Sequence, residues 1–277
     1  MKKIQNLLLA GLSAGIIFAG CGDKETKDLQ ANAVSESSEK TILKVGATPV
    51  PHAEILEVIK SDLSAQGIEL QIVNFTDYVT PNVSLNDGSI DANFHQHKPF
   101  LDSLKTERGF DLEPVANIHI EPIGFYSKKF SSVDEIPNGS TIAIPNDPSN
   151  GGRALILLHH KGLITLKDVE NLNASEIDII ENPRDFKIKP IEAAMIPRTL
   201  DSVDAAVING NYALQAGLKG ADALFLEGSE SPYANILVVK SQRVDDPAIL
   251  KLKEALQSQK VKDFILEKYQ GEVLPVF

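Results

Sequence analysis

Short apolar segments that alternate with helical patterns are the feature of this sequence that most constrains its fold. Residues 51–66 place Ile55, Leu56, Ile59 and Leu63 on one helix face, and Gly67 follows as a stop signal. Similar patterns predict helices at residues 99–108, 152–161, 247–257 and 261–269. Extended segments are predicted at residues 41–48, 70–75, 91–94, 115–126, 141–144, 177–180, 205–208, 223–226 and 236–239. This alternation favours an α/β fold with parallel sheets.

The composition indicates a packed globular protein that does not bind nucleic acid. Hydrophobic residues make up 43% of the 277 residues and charged residues 23%, which suits one large domain or two ordinary ones. The formal net charge of -11 disfavours a polyanionic partner, and we find no local basic patch that would offset it. The single cysteine excludes an intrachain disulfide and a cysteine-based zinc site.

The N-terminus has the layout of an export signal. Lys2 and Lys3 precede an apolar run over residues 7–18, which is shorter than the roughly 20 residues of a membrane span. We therefore predict a signal peptide at residues 1–20 and, from its polar composition, a flexible tether at residues 21–40.

The only cysteine directly follows this predicted signal. The string from Phe18 to Cys21 resembles the lipobox of bacterial lipoproteins, in which the cysteine becomes the lipid-modified first residue of the mature chain. The resemblance implies lipidation of Cys21 by acyl chains such as palmitate and anchoring at the cell membrane, facing the periplasm or the cell exterior. The alternative is an ordinary signal peptide that leaves a free cysteine.

Polar residues follow several predicted strands, which is where open α/β sheets bind ligands. Arg153 comes after a Ser-Asn-Gly-Gly run that opens a helix, and the two glycines and the helix end suit an anion such as a carboxylate. Asn209 and Asn235 flank apolar strands, where buried amides could bind a zwitterion. The alternatives are ordinary capping and turn roles. The run lacks a Walker lysine and a GxGxxG pattern, so nucleotide binding is disfavoured.

Aromatic and histidine side chains near these strand ends leave two interpretations open. Tyr78, Phe94 and Phe100 could wall a pocket for an apolar or thioether side chain, or could pack in the core. A metal site is a rival interpretation, and it would use His52, His95, His97 and His119. No acidic or histidine-rich loop accompanies these residues, so we predict no metal and no cofactor. With no nucleophile elbow and no cysteine nucleophile in the mature body, we predict no catalytic residue and no enzyme activity.

Several strings, in their order along the chain, are similar to the methionine-binding lipoproteins of bacterial ABC importers, the NlpA-type family. They extend from residue 47 to residue 235, and the longest is AIPNDPSNGGRALILL at residues 143–158. The shorter strings are ATP at 47–49, PHAEIL at 51–56, FTDY at 75–78, DAN at 91–93, HIEP at 119–122, ENP at 181–183, VDAAVINGNYA at 203–213 and SPYAN at 231–235.

The resemblance implies a two-lobed periplasmic substrate-binding protein of type II-like architecture, with a hinge and a ligand cleft between the lobes. It implies a lobe I at residues 41–120 plus 228–277 and a lobe II at residues 121–227. It further implies that the chain binds free methionine and delivers it to a membrane permease driven by a cytoplasmic ATPase.

The resemblance also suggests roles for single residues. Arg153 matches the family's ligand arginine, Asn209 and Asn235 match its asparagines, and Tyr78 and His97 fall where the family lines its pocket. We expect Arg153 and the helix start to hold the ligand's α-carboxylate and the two asparagines to complete its polar contacts. Tyr78, His97 and also Phe94 are expected to enclose the thioether.

One stretch departs from the family pattern. Phe94 stands where the family commonly has tyrosine, and His95 stands where it has phenylalanine, which makes the pocket edge more polar. Either change could shift selectivity toward another small amino acid or a methionine-containing dipeptide. Two other classes remain as alternatives, namely a metal importer component and a surface lipoprotein with an adhesin role.

Overall fold

The computed structural model describes residues 40–228 and 231–277. The predicted signal peptide, the proposed lipidation site Cys21 and the predicted tether up to residue 39 lie outside these residues.

The described chain alternates strands and helices. The strands are β1 (Thr41–Ala47), β2 (Ile68–Asn74), β3 (Ala92–His97), β4 (Leu112–Ile120), β5 (Gly124–Tyr126), β6 (Thr141–Pro145), β7 (Thr165–Leu166), β8 (Ile179–Glu181), β9 (Lys187–Ile191), β10 (Ala205–Ile208), β11 (Ala223–Leu226), β12 (Asn235–Lys240) and β13 (Leu274–Pro275). The helices are α1 (Glu54–Ala65), α2 (Thr80–Asp87), α3 (Lys98–Arg108), α4 (Pro148–His160), α5 (Ile196–Thr199), α6 (Gly210–Gln215), α7 (Pro247–Leu256) and α8 (Gln259–Tyr269).

Two larger sheets organise the part of the chain that the structure describes. The first has the strand order β13-β4-β12-β3-β1-β2, and the second has the order β11-β5-β10-β6-β9. The chain changes from the first sheet to the second between Ile120 and Gly124, and it returns between Leu226 and Asn235. We call the first sheet and the helices packed on it lobe I, and the second sheet with its helices lobe II. A small antiparallel pair, β7 with β8, accompanies the second sheet.

Both sheets are mixed, so the prediction of parallel sheets is only partly right. Strand β1 pairs in parallel with β2 and β3, and β6 pairs in parallel with β9 and β10. Strand β12 runs antiparallel to β3 and β4, and β5 runs antiparallel to β10 and β11. The segment 115–126, predicted to be extended throughout, ends its first strand at Ile120 and enters the other sheet at Gly124. Apolar periodicity reports which faces are buried and carries no information on strand direction.

Helix α1 forms as its apolar spacing predicts. Ile55, Leu56, Ile59 and Leu63 are each fully buried in the lobe I core, and Gly67 adopts the positive φ of 79° that closes the turn after the helix. Helices α7 and α8 pack in the same core through Ile249, Leu252, Val261 and Ile265. The sequence did not predict α2, α6 or β9, which are short or rich in polar residues.

None of the helices in the described residues is both long and apolar enough to cross a lipid bilayer.

Candidate functional site

A cavity lies where strand ends of the two sheets meet. About 330 Å³ of space is free of protein atoms there, counting the part that is open to solvent. Lobe I contributes residues at the end of β3 and the start of β12, and lobe II contributes the start of α4 and the turn after β10. This is the place where open α/β sheets bind ligands. The lining residues are Tyr78, His95, Gln96, His97, Phe100, Glu121, Asn150, Arg153, Asn209, Gly210, Asn211 and Asn235.

Arg153 extends from α4 into the cavity wall and is 3% exposed. Its Nε donates to Glu227 Oε1 at 2.9 Å, and its Nη2 donates to the Glu121 carbonyl oxygen at 2.9 Å and to the second carboxylate oxygen of Glu227. The guanidinium also lies 4.3 Å from the centre of the Tyr233 ring. Burial acts to lower the pKa of Arg153, but the Glu227 carboxylate outweighs it and the pKa is raised. Arg153 is therefore a fixed positive charge.

Glu227 changes the expected role of this arginine. The Nε–Nη2 edge of a guanidinium is a fork that can hold a carboxylate in a two-point contact. In Arg153 the Glu227 carboxylate occupies that fork. The hydrogen bonds between described residues use Nε and Nη2 and leave Nη1 without a partner. Nη1 is therefore the nitrogen that can donate to a ligand.

The start of α4 differs from the expected anion cradle. The helix begins at Pro148, four residues before the predicted start, and the Asp147 side chain caps it by accepting from Asn150 N at 2.9 Å. A Cβ at Gly152 would lie 2.3 Å from the Leu172 carbonyl oxygen. The second glycine therefore permits close packing of a loop on the helix. We expected the start of this helix to hold the ligand's carboxylate. The structure does not support that expectation, because the Asp147 carboxylate already caps the helix N-terminus.

A relay of side chains leads from Asp147 into the cavity. Both carboxylate oxygens of Asp147 accept from Asn150 Nδ2 at 3.0 Å, so the oxygen Oδ1 of Asn150 faces the other way. That oxygen accepts from Asn209 Nδ2 at 2.7 Å and from His97 Nε2 at 3.0 Å. The Nδ1 of His97 accepts from Phe100 N at 3.2 Å. His97 is therefore neutral with its proton on Nε2, and burial, followed by the Arg153 charge, lowers its pKa to about 3.

The relay leaves specific polar atoms unpaired at the cavity. Asn209 uses its nitrogen for Asn150, and its oxygen Oδ1 is buried without a partner among the described residues. Asn211 Oδ1 accepts from the Tyr78 hydroxyl at 2.5 Å, and its nitrogen Nδ2 is likewise buried and unpaired. The first atom is a hydrogen-bond acceptor and the second a donor. Burying such groups without a partner costs free energy, so a ligand that pairs both is favoured.

Asn235 is oriented by a second chain of hydrogen bonds. The Thr48 hydroxyl lies 2.7 Å from His52 Nδ1, and His52 Nε2 lies 3.0 Å from Asn235 Oδ1. Because an amide oxygen only accepts, His52 carries its proton on Nε2 and accepts from Thr48 on Nδ1. Asn235 therefore has its nitrogen Nδ2 to present to the cavity.

A buried cluster of two histidines and one carboxylate supports the same wall. Glu121 Oε1 lies 2.7 Å from His119 Nε2 and 3.3 Å from His52 Nε2. Burial lowers the pKa of His52 and of His119 to about 3 and raises the pKa of Glu121, whose rise the nearby His52 and Arg153 oppose. Glu121 lines the cavity, so it is a second acceptor at this site.

This cluster bears on the metal interpretation. One ligand atom from each of His52, His119 and Glu121 lies within 4.8 Å of the others, a spacing that could hold a metal ion. The cluster includes neither His95 nor His97, so the structure does not assemble the four-histidine set considered from the sequence. His119 donates from Nε2 to Glu121, and His52 donates from Nε2 to Asn235 while its ring lies beside the carboxylate, so two neutral histidines account for the contacts of the cluster.

Rings line the remaining part of the cavity. The Tyr78 ring centre lies 5.7 Å from that of Phe100 and 6.3 Å from that of His95, and the His97 ring lies edge-on to Phe100 at 6.4 Å. Burial raises the pKa of the Tyr78 hydroxyl well above its ordinary value, so it remains a donor to Asn211.

Phe94, expected in this wall, lies elsewhere. Its side chain is fully buried in the lobe I core, with its ring centre 4.8 Å from that of His52 and 5.3 Å from that of His119. Neighbouring side chains of a strand point to opposite faces, so His95 and His97 share a face that Phe94 does not. We therefore leave Phe94 out of the candidate site as a correction to the sequence-based expectation.

The structure thus brings Tyr78, His97, Arg153, Asn209 and Asn235 to one cavity and adds residues that the sequence reasoning did not select. Asn150 and Asn211 lie in polar segments after predicted strands, and Glu121 lies in the HIEP string, so a weak signal existed for each. Glu227 follows β11 and had no distinguishing pattern.

Comparisons with known proteins agree with this architecture. The sequence profile described as NlpA lipoprotein matches residues 43–277. A Pasteurella multocida protein named Probable D-methionine-binding lipoprotein MetQ is 41% identical over 276 residues, which cover 99% of each chain. The Escherichia coli D-methionine-binding lipoprotein MetQ is 39% identical over 267 residues, which cover 95% of this chain and 94% of the relative.

A solved structure shares the fold. It is a nutrient binding protein from Burkholderia cenocepacia bound to methionine, with 43% sequence identity and a TM-score of 0.82. The match covers 85% of this chain and 100% of that one. The fold is thus the two-lobed α/β architecture of periplasmic substrate-binding proteins, as the family resemblance implied.

Proposed function

Because this chain belongs to the NlpA lipoprotein family, whose members are substrate-binding proteins and not enzymes, we propose that it binds free methionine in the cavity between its lobes. In this proposal the chain serves an ABC importer by delivering the amino acid to the permease.

The unpaired polar atoms of the cavity carry the proposal. A free amino acid presents an ammonium group that needs acceptors and a carboxylate that needs donors. Asn209 Oδ1 and the Glu121 carboxylate are acceptors, while Asn211 Nδ2 and the amide nitrogen of Asn235 are donors. Arg153 adds a positive charge to the donor side. A zwitterion satisfies both sets at once, whereas a simple cation or anion leaves one set unpaired.

The rings supply the other half of the recognition. Tyr78, Phe100 and His97 form an aromatic wall beside the polar atoms. A thioether is polarisable and apolar, and it packs favourably against aromatic rings. Methionine fits this combination of a zwitterionic head and a soft apolar tail.

Arg153 acts in this proposal through its charge and its Nη1, since Glu227 and the Glu121 carbonyl occupy Nε and Nη2. The Glu227 contact fixes the plane of the guanidinium before a ligand arrives. Such preorganisation lowers the cost of ordering the side chain on binding.

The proposal extends to the membrane and the transport partners. Lipidation of Cys21 would anchor the protein at the cell membrane, facing the periplasm or the cell exterior. The permease and its ATPase are the partners that this role requires.

Calorimetry with purified protein tests the proposal. The protein is first unfolded and refolded to remove carried-over ligand, and L- and D-methionine are then titrated into it. We expect binding of methionine, and we expect Arg153→Ala to weaken it by about 1.5–3 kcal/mol, roughly ten- to a hundredfold, because a charge-assisted contact is lost in a buried site.

Arg108→Ala is the matched control, since Arg108 is an exposed arginine at the end of α3. It should leave the affinity unchanged. A refolded wild-type protein that binds neither enantiomer would contradict the proposal, and so would unchanged affinity in Arg153→Ala. Tight zinc binding in place of methionine would favour the metal cluster of His52, His119 and Glu121 instead.

A further inference from the structure

His95 lines the cavity, and one of its ring nitrogens has no hydrogen-bond partner among the described residues. Its Nε2 lies 3.1 Å from the Tyr78 carbonyl oxygen. A carbonyl oxygen only accepts hydrogen bonds, so Nε2 carries the proton. In the neutral ring Nδ1 is then a lone-pair acceptor, and that atom is buried and unpaired among the described residues.

The ring is held in the neutral form. Burial lowers the pKa of His95 to about 4, against the opposing effects of the Tyr78 carbonyl and the Asp77 carboxylate. His95 is 2% exposed, so solvent has little access to Nδ1. An acceptor in this position costs free energy until a donor reaches it.

The position of His95 separates it from the groups that recognise the zwitterion. It lies on β3 beside Tyr78, which also contacts Phe100, so it belongs to the ring wall that would surround a ligand's side chain. His97, two residues further along the strand, has both ring nitrogens engaged by Asn150 and Phe100. Of these two histidines in the wall, only His95 therefore has an acceptor to offer.

We propose that His95 is a specificity-determining residue whose Nδ1 accepts a hydrogen bond from the ligand's side chain. The site then favours α-amino acids of methionine length whose side chain carries an N–H or O–H donor near the position of the sulfur. This inference rests on the proposed function, because it assumes that an amino acid occupies the cavity.

Two analogues of methionine with nearly equal size test this inference. Methionine sulfoximine carries an N–H donor on sulfur, whereas methionine sulfone carries only acceptor oxygens there. The two are titrated by calorimetry into refolded wild-type protein and into His95→Phe, with methionine as the reference ligand. We expect the wild type to bind the sulfoximine about tenfold more tightly than the sulfone, and we expect His95→Phe to abolish that difference.

The outcomes separate the two claims. If methionine binds but the wild type binds both analogues equally, the His95 inference is overturned and the proposed function stands. A preference for the sulfoximine that persists in His95→Phe also overturns the inference, because another residue then supplies the acceptor. If neither methionine nor either analogue binds, both claims fail. The wild-type comparison decides the matter even if the variant does not fold.

Discussion

At the scale of single residues, Arg153 and Glu227 form a largely buried ion pair at the site. Arg153 is 3% exposed at its side chain and Glu227 15%, so the two charges are largely removed from water. Removing one member of such a pair leaves the other charge poorly solvated and costs more than the pair contributes in net stability.

A double-mutant comparison tests this reasoning. We expect Arg153→Ala to lower the free energy of unfolding by about 3 kcal/mol, the low end for a buried pair because Glu227 keeps some contact with solvent. Adding Glu227→Gln should restore part of that loss, since no unpaired carboxylate then remains. Urea denaturation of the ligand-free proteins measures both. Losses that simply add in the double variant would show that the two side chains are not coupled.

At the scale of elements, the start of α4 joins helix stability to the binding site. Asp147 caps the helix and also orients Asn150, which in turn holds His97 and Asn209. One carboxylate therefore serves both the local backbone and two cavity residues.

This coupling predicts different results for two N-cap variants. Asp147→Ala should cost about 1–2 kcal/mol of stability and also weaken methionine binding several-fold, because Asn150 loses its orientation. Asp246→Ala removes the cap of α7, where Asp246 accepts from Ala248 N at 2.8 Å, and lies outside the cavity. We expect it to lower stability by a similar amount while the affinity stays unchanged. Thermal unfolding measures the stability of both variants, and calorimetry measures their affinity for methionine. Equal affinities in the two variants would show that Asp147 does not orient the cavity residues through Asn150.

Some elements could be predicted from the sequence pattern and others could not. The stripe of α1 and the positions of β6 and β10 follow from apolar spacing, which is local information. Helix α6 begins within an Asn-Gly-Asn-Tyr run that has the composition of a turn, and tertiary packing makes it helical. The mixed direction of the strands depends on how distant segments pair, for example β12 between β3 and β4.

At the scale of the whole molecule, several neutral histidines are buried around the lobe junction. Burial lowers the pKa of each below the unfolded value of 6.5, to about 3 or about 4. These residues are His52, His95, His97 and His119. As the pH falls below 6.5, the unfolded chain takes up protons on these rings and the folded chain does not.

The protein should therefore lose stability on acidification. Each such histidine is expected to lower the free energy of unfolding by about 1.4 kcal/mol per pH unit between pH 6.5 and its folded pKa. Glu121 and Asp147 act in the opposite direction, because burial raises their pKa values and they take up protons while folded. Urea denaturation between pH 7 and 4.5 measures how steeply the free energy of unfolding falls with pH. His95→Phe should reduce that slope by the contribution of one histidine. A stability that stays constant from pH 7 to pH 5 would contradict this picture.

The sequence by itself determined the alternation of strands and helices, the family, and five residues that line one cavity, namely Tyr78, His97, Arg153, Asn209 and Asn235. These follow from local spacing and from strings that a relative shares. Only the tertiary structure decided that Glu227 occupies the Arg153 fork, that Asp147 fills the helix start and that Phe94 packs in the core. Arg153 and Glu227 are 74 residues apart, and His52 and Asn235 are 183 apart. Each pair lies within one lobe, and contacts across such distances depend on how distant segments fold onto the same sheet, which no local pattern encodes.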